Sequence, residues 1–309
     1  MRRVDGLDHL TSPAEGSVVT IGFFDGVHLG HRAVLDRTVA RARERGLPST
    51  AITFDRHPRE VLTPGSEPRL LSTVEGKARL IAARGIDQLL VLPFTADLAA
   101  WEPDRFVHEV LVTALRARHV VVGANFTFGH RARGDAASLV AAGPTNGFAA
   151  EAVDLVFLDG RRVSSSSVRD ALAAGDLAWP ARALDRRFAV EGTVVGGAGR
   201  GHGLGYPTAN LETSPRLLLP AKGIYAGRAR TDGVDAGAAI SVGTNPTFGS
   251  EPLHVEAFLL DFDGDLRGRR LEIEFWARLR DEETFPSAEA LVEAMGEDVA
   301  RAREVLARG

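Results

Sequence analysis

The sequence predicts two folds in series: a doubly wound α/β domain on a parallel sheet, then an antiparallel β-barrel followed by a terminal helix. Three observations predict it. The chain of 309 residues is long enough for two domains of about 150 residues each. Its first half alternates uninterrupted apolar runs with helical spacings, as strands buried on both faces require. Its second half offers short strands punctuated by Gly and Pro, the mark of an antiparallel barrel. The expected boundary lies where this character changes, giving domains 1–185 and 186–309.

The elements follow in order. Val18-Val19-Thr20-Ile21-Gly22-Phe23 is a β-branched strand running into a glycine-broken turn, and residues 30–45 place Ala33, Val34, Val39 and Ala42 on one helical face. A strand at 50–54, a helix at 75–83, a strand at 88–92, a helix at 104–114 and an apolar strand at 119–123 complete the alternation. One helix ends at Gly175-Asp176-Leu177-Ala178-Trp179-Pro180, and a short helix spans 181–186. Barrel strands are expected at 188–195, 223–227, 238–242, 254–260 and 271–276. A last helix runs from Ser287, as N-cap, to Leu306. No internal repeat is evident.

Composition narrows the chemistry. The chain is 44% hydrophobic and 25% charged, which excludes a disordered or fibrous protein. No apolar run is long enough to span a bilayer. The polar start, Met1-Arg2-Arg3-Val4-Asp5, does not resemble the apolar core of a secretory signal. Cysteine is absent, so disulfides, thiolate metal sites and cysteine nucleophiles are excluded; the expected compartment is the cytoplasm. A net charge of -4 speaks against a nucleic-acid partner. Lys77 and Lys222 are the only lysines, and no P-loop signature occurs, so any phosphate clamp must use Arg, His, helix N-termini or backbone amides.

The first constellation is Gly22-Phe23-Phe24-Asp25-Gly26-Val27-His28-Leu29-Gly30-His31, at the passage from the first strand to the first helix. Ligands of doubly wound sheets bind at such carboxyl ends. His28 and His31, three residues apart, share one face of the opening turn and can donate to phosphate oxygens beside the helix N-terminus. The suited chemistry is attack on an α-phosphate with pyrophosphate leaving. The alternatives are two surface histidines beside a turn or, less well supported, a metal site lacking a third ligand. Asn125, after the apolar strand, and the run Arg161-Arg162-Val163-Ser164-Ser165-Ser166-Ser167-Val168-Arg169 could complete a pyrophosphate clamp, although a serine run is more often a loop or an N-cap.

The second constellation is a glycine-dense segment, residues 196–205, ending in Tyr206-Pro207-Thr208-Ala209-Asn210. Its glycines, Gly201, Gly203 and Gly205 among them, either form a flexible loop or wrap phosphates with backbone amides. In an extended chain Thr208 and Asn210 share a face, and their hard oxygens suit Mg²⁺. Glu256 interrupts an apolar strand. It is either an exposed strand position or, if it faces Thr208 and Asn210, a general base for a substrate hydroxyl.

Together these segments resemble the bacterial bifunctional riboflavin kinase/FAD synthetase family over nearly the whole chain. The first half is similar to its nucleotidyltransferase module through residues 22–31, Thr53-Phe54-Asp55-Arg56-His57-Pro58, Asn125-Phe126-Thr127-Phe128-Gly129 and residues 164–169. The second half is similar to its riboflavin kinase barrel through residues 203–210, Gly223-Ile224-Tyr225-Ala226, Gly243-Thr244-Asn245-Pro246-Thr247-Phe248 and Glu256. Asp261-Phe262-Asp263-Gly264-Asp265-Leu266 and Arg280-Asp281-Glu282 continue the pattern. The chain departs from it at Ser167, where the family often has Arg, and at Arg267, where it often has an aromatic residue.

The resemblance implies two ATP-dependent transferase activities: phosphorylation of riboflavin to FMN in the barrel, and adenylylation of FMN to FAD in the α/β domain. It implies His28, His31 and Glu256 as catalytic residues. Phosphate contacts would fall on Gly22, Asp25, Gly30, Asn125, Arg161, Ser164, Ser165 and Arg169 in one site, and on Gly201, Gly203 and Gly205 in the other. Flavin contacts are implied at Phe54, His57, Arg280 and Phe285, and Mg²⁺ ligation at Thr208 and Asn210. The expected partners are riboflavin, FMN and ATP, without nucleic acid or membrane; a homo-oligomer is compatible. Three competing classes remain. A cytidylyltransferase-like enzyme accounts for the first half alone. A class I aminoacyl-tRNA synthetase lacks its lysine-rich loop. A flavin sensor would be expected to have lost the residues named.

Overall fold

The structure, a computed structural model, describes residues 1–196, 205–244 and 253–308. The chain divides into two units, Met1–Ser165 and Ser166–Gly309. Among the described residues no helix is long and apolar enough to cross a membrane.

In the first unit β1 (Arg2–Asp5), β2 (Ser17–Ile21), β3 (Ser49–Phe54), β4 (Gln88–Leu92) and β5 (Ala117–Gly123) are joined, after the β6 (Thr127–Phe128) and β7 (Gly134–Asp135) hairpin, by β8 (Ala149–Val153). The main sheet has six strands, all parallel, in the order β1-β4-β3-β2-β5-β8. The covering helices are α1 (Leu29–Arg45), α2 (Arg59–Leu62), α3 (Val74–Ala82), α4 (Ala96–Ala99), α5 (Pro103–Phe106) and α6 (Ala136–Ala142), and a short hairpin, β9 (Phe157–Leu158) with β10 (Arg161–Arg162), follows.

Successive side chains of one strand enter opposite layers, which explains the uninterrupted apolar runs. Val19 and Ile21 pack with Val110, Leu111 and Leu139, whereas Val18 packs with Val34 and Val121. Leu35, Val39 and Ile81 bury Ala51 and Leu89 on that second side. The helix α1 is stopped by Gly46, whose φ of 64° is open to glycine at little cost.

Two strands of the parallel sheet, like β12 (Ala209–Thr213) of the barrel, escape the sequence reading, and the two in the sheet do so for a common reason. β1 offers only Val4 to the core and exists by pairing its backbone with the edge of β4. β8 is alanine-rich and likewise occupies an edge. The helix expected at 104–114 is divided: α5 continues as a π-helical segment, Val107–Ala114.

The second unit opens within α7 (Ser165–Ala173), all but the first residue of which belongs to it, and continues with α8 (Ala178–Leu184). Six antiparallel strands then close a barrel: β11 (Phe188–Val195), β12 (Ala209–Thr213), β13 (Gly223–Thr231), β14 (Val234–Gly243), β15 (His254–Leu259) and β16 (Arg270–Arg280), ordered β11-β12-β15-β14-β13-β16. Alternation sends Val190, Tyr225, Ile240, Val255, Ala257 and Ile273 to buried positions. A final helix, α9 (Ala288–Arg308), begins beyond Ser287, whose hydroxyl accepts from the Ala290 amide at 3.3 Å. Its Val299, Ala302 and Leu306 pack on Ala226, Ala239 and Phe258.

Candidate active sites

In the first unit the strand order reverses at β2, which has β3 on one side and β5 on the other. Loops leaving the carboxyl ends of β2 and β5 therefore diverge and open a crevice. The turn after β2 is strained: Phe24 and Val27 take φ of 53° and 43°, left-handed values that side chains rarely adopt. Asp25 holds it in place. Its carboxylate, 1% exposed, accepts from the Leu71 amide at 2.9 Å and the Ser72 amide at 3.1 Å. Ser72 Oγ in turn accepts from the Gly26 amide at 3.1 Å. The carboxylate expected beside phosphate is thus turned into the protein, where it fixes the turn.

His28 caps α1, its Nδ1 accepting from the His31 amide at 3.3 Å. A neutral imidazole that accepts at Nδ1 carries its hydrogen on Nε2, so His28 presents a donor there. The rings of His28 and His31 stack with centroids 3.6 Å apart, and Phe24 meets His31 edge-on at 5.3 Å. Gly30 leaves room for this pair, since a Cβ at that position would lie 3.2 Å from the His28 ring. Gly22 does the same for the Phe24 ring, at 2.9 Å. From the far end of the unit Ser165 Oγ donates to the Asp25 carbonyl at 3.0 Å, and the Val163 carbonyl lies 3.8 Å from the same Gly30 position. The segment containing Ser164 and Ser165 is therefore brought against the histidine turn. Asn125 is exposed two residues beyond β5, Arg161 lies in β10, and Arg169 lies in α7, in the second unit.

Beside the turn lies a cavity of about 390 Å³ lined by Ile21, Phe54, Phe94, Trp101, Phe126 and Phe128 among others. Phe54 and Phe94 meet edge-on at 5.3 Å, and Phe126 stacks with Phe128 at 5.5 Å. Sequence reasoning singled out Phe54 but not Phe94 or Trp101; aromatic residues from separate segments give no local signal. His57 stands against Phe23, edge-on at 4.9 Å.

Lys77 was also missed as a site-forming residue. Only 1% exposed, it places Nζ 3.8 Å from the centroid of Phe23 and donates to Thr53 Oγ1 at 3.3 Å. Thr53 passes its own hydrogen to the Phe23 carbonyl at 3.0 Å. Burial pushes the lysine down to about 8, against the opposing pull of Asp25 and Asp55. The shift from 10.5 corresponds to roughly 3 kcal/mol of folding free energy withheld while the amine is charged. This cost is complete below pH 8 and is relieved as pH rises toward 10.5. Lys77→Met is expected to raise stability in urea unfolding at pH 7, with an advantage that shrinks between pH 8 and 10. A gap independent of pH would show that the ammonium is well compensated.

In the barrel, β12 and β15 are neighbours and their register sets Asn210 opposite Glu256. Paired residues share a face, which decides the open question about Glu256. Its Oε2 lies 3.3 Å from Thr208 Oγ1, and its Oε1 lies 3.2 Å from His254 Nε2. Asn210 Nδ2 donates to the Thr208 carbonyl at 3.4 Å. Thr208, Asn210 and Glu256 are thus assembled as one cluster. His254 was missed, a lone histidine at a strand start carrying no pattern of its own.

Thr208, His254 and Glu256 line a cavity of about 900 Å³ whose other walls include Ser241, Phe258, Arg280, Phe285 and Met295. Arg280 makes two hydrogen bonds to Asp298 of α9, at 3.0 and 2.7 Å, and its guanidinium lies 5.5 Å from the Phe285 ring centroid. Asp298 is 4% exposed, so this charge pair ties the helix to the barrel wall. Gly205 adopts φ 87°. Gly201 and Gly203, like residues 245–248, lie outside the described residues.

The FAD synthetase family pattern matches residues 10–167, and the riboflavin kinase pattern matches residues 184–306. A bifunctional riboflavin kinase/FMN adenylyltransferase of Pseudomonas fluorescens is 41% identical over 308 residues, covering 99% of this chain and 98% of that protein. The protein of the same description from Escherichia coli K12 is 35% identical over 311 residues, with 98% and 97% coverage. A crystal structure described as a macrolide-efflux protein from Streptococcus pneumoniae superposes with a TM-score of 0.87 at 28% identity, covering 98% of this chain and 99% of that one. The first unit's crevice and the barrel's cluster thus fall within two separate family patterns, and relatives described by both activities match this chain over nearly its whole length: the chain belongs to the bifunctional riboflavin kinase/FMN adenylyltransferase family.

Proposed function

We propose that the chain makes flavin cofactors in two steps, phosphorylating riboflavin to FMN with ATP and then adenylylating FMN to FAD with release of pyrophosphate. One observation carries the reading. Each family region joins a polar cluster to a cavity: β2, whose Ile21 lines the aromatic pocket, runs into the turn that carries the stacked His28–His31 pair, and the Thr208–Glu256 contact lies within the larger cavity. We divide the labour at 185/186, close to the start of the riboflavin kinase match at residue 184.

In the kinase reaction Glu256 takes the proton of the riboflavin 5′-hydroxyl as its oxygen attacks the γ-phosphorus, and ADP departs. Arg280 and Phe285 flank the flavin. Thr208 and Asn210 fit Mg²⁺: both offer hard oxygens, and since Asn210 Nδ2 is engaged with the Thr208 carbonyl, its Oδ1 is the atom left to ligate. Among the described residues no group of three His, Cys, Asp or Glu side chains forms an alternative metal site. Bound there with ATP, the ion would offset phosphate charge. Gly201, Gly203 and Gly205 belong to the glycine-dense segment assigned to the phosphates.

In the adenylyl transfer the FMN phosphate attacks the α-phosphorus of a second ATP, and no covalent enzyme intermediate is needed. Nε2 of His28 donates to the charge that develops, with His31 stacked on it. Gly22 and Gly30 permit close approach, Asn125, Arg161, Ser164 and Ser165 hold the phosphates, and Asp25 acts by fixing the turn. Phe54 and His57 belong to the flavin side, and the aromatic cavity suits an isoalloxazine ring. Both reactions draw on ATP, which supports a cytoplasmic setting, and neither calls for nucleic acid.

The test is chromatography of riboflavin incubated with purified protein, ATP and Mg²⁺, alongside a reaction begun from FMN. FAD from both starting points is expected. FMN without FAD would remove the role given to the first unit. Flavin binding with no product from either start would favour a sensor.

A further inference from the structure

Among the described residues His254 approaches the base as nearly as Thr208 does, yet the two-step scheme gives it no role. It stands two residues before Glu256 on β15, so the two side chains leave the strand on one face. Its Nε2 lies 3.2 Å from Glu256 Oε1, and both residues line the large cavity. The other carboxylate oxygen, Oε2, faces Thr208 Oγ1 at 3.3 Å. The two contacts differ in kind. Thr208 is assigned to the metal, so its hydroxyl is shared with the substrate side. His254 has no second assignment and is held by the strand that carries Glu256 itself.

We propose that His254 is the positioning residue of the kinase base: its Nε2, 3.2 Å from Oε1, aligns into a hydrogen bond to that oxygen when substrate fills the cavity, which fixes the carboxylate plane and leaves Oε2 to receive the substrate's proton. This rests on the kinase reading above. In the step, the 5′-oxygen–hydrogen bond breaks and its proton passes to Oε2. The 5′-oxygen forms a bond to the γ-phosphorus, and the bond from that phosphorus to the bridging oxygen breaks, its electron pair leaving with ADP. The proton returns to solvent after FMN departs. Thr208 Oγ1 already donates to Oε2 at 3.3 Å, and a second partner at Oε1 narrows the rotation that a single contact leaves about the last bond, keeping Oε2 aimed at the hydroxyl.

The expected consequence is a change in turnover without a change in binding. In the intact chain, His254→Ala should lower kcat for FMN formation by about tenfold, the lower end of what partners of reacting groups usually contribute. KM for riboflavin and for ATP should stay within about twofold, because His254 acts on the base and not on either substrate. His254→Gln places an amide donor within reach of Oε1 and should restore most of the loss. Unchanged far-UV circular dichroism and thermal unfolding of each variant would show that its fold persists.

The outcomes separate cleanly. An alanine variant with wild-type kcat overturns the role of His254 alone. A rise in KM with kcat intact overturns it in favour of a substrate contact. Equal losses in the alanine and glutamine variants overturn the hydrogen-bond basis. A wild-type chain that makes no FMN from riboflavin removes the kinase reading and this inference with it.

Discussion

Glu256→Gln is expected to abolish FMN formation while leaving conversion of added FMN to FAD intact. Glutamine keeps the shape of the side chain, so its carbonyl oxygen can still accept from His254 and its amide can still meet Thr208. What it lacks is an oxygen basic enough to take a proton. General-base groups typically contribute 10²–10⁴-fold, and a loss of about that size in kcat is expected here. The register that sets Glu256 opposite Asn210 does not depend on the charge, because it follows from strand pairing. The kinase defect should therefore come without loss of the barrel. Retention of more than about a tenth of wild-type turnover would mean that another group, or water, takes the proton.

His28→Ala is expected to produce the reverse: riboflavin still becomes FMN, and FMN no longer becomes FAD. Two effects are combined in this substitution. Removing the side-chain cap of α1 costs roughly 1 kcal/mol of stability. Removing the Nε2 donor from the site of developing charge costs about 10²–10³-fold in rate, by analogy with single donors in oxyanion sites. His28→Asn separates them, since asparagine is a good N-cap but does not place a donor where the imidazole edge lies. An asparagine variant that melts like wild type and makes no FAD would assign the loss to chemistry. Recovery of FAD synthesis with asparagine would assign it to helix capping.

The parts legible in the sequence were those written in local patterns. Continuous apolar runs such as His119-Val120-Val121-Val122 report a strand covered on both faces, and the structure buries residues 120–122 fully. Strand β11 was readable at both ends because Phe188, Val190 and Val194 alternate with exposed or half-exposed neighbours. Strand β1 was not, because three of its four side chains are exposed and only backbone pairing with β4 defines it. A pattern of burial cannot report a strand that buries almost nothing.

The sites divide in the same way. The glycine-histidine turn and the Pro-Thr-Ala-Asn segment are contiguous and could be read directly. Glu256 could not be assigned a face from alternation, which gives the parity of a strand position but not what lies opposite; the β12–β15 register supplies that. The resemblance implied Asp25 as a phosphate contact, yet its carboxylate accepts from Leu71 and Ser72, far along the chain. Lys77 was noted only as one of two lysines, and nothing local marks it as the group lying over Phe23. The aromatic cavity likewise draws on β2, β3 and later loops.

The central claim is that one chain carries two independent active sites linked by a shared intermediate, FMN. The most direct measurement mixes the Glu256→Gln and His28→Ala proteins with riboflavin, ATP and Mg²⁺ and follows flavins by chromatography. Neither protein alone should yield FAD from riboflavin, while the mixture should, as FMN released by the His28→Ala protein is adenylylated by the other. A mixture that accumulates no FAD, although the Glu256→Gln protein converts added FMN, would contradict the assignment of the missing step to His28→Ala. FAD from riboflavin with either variant alone would contradict the division of labour itself.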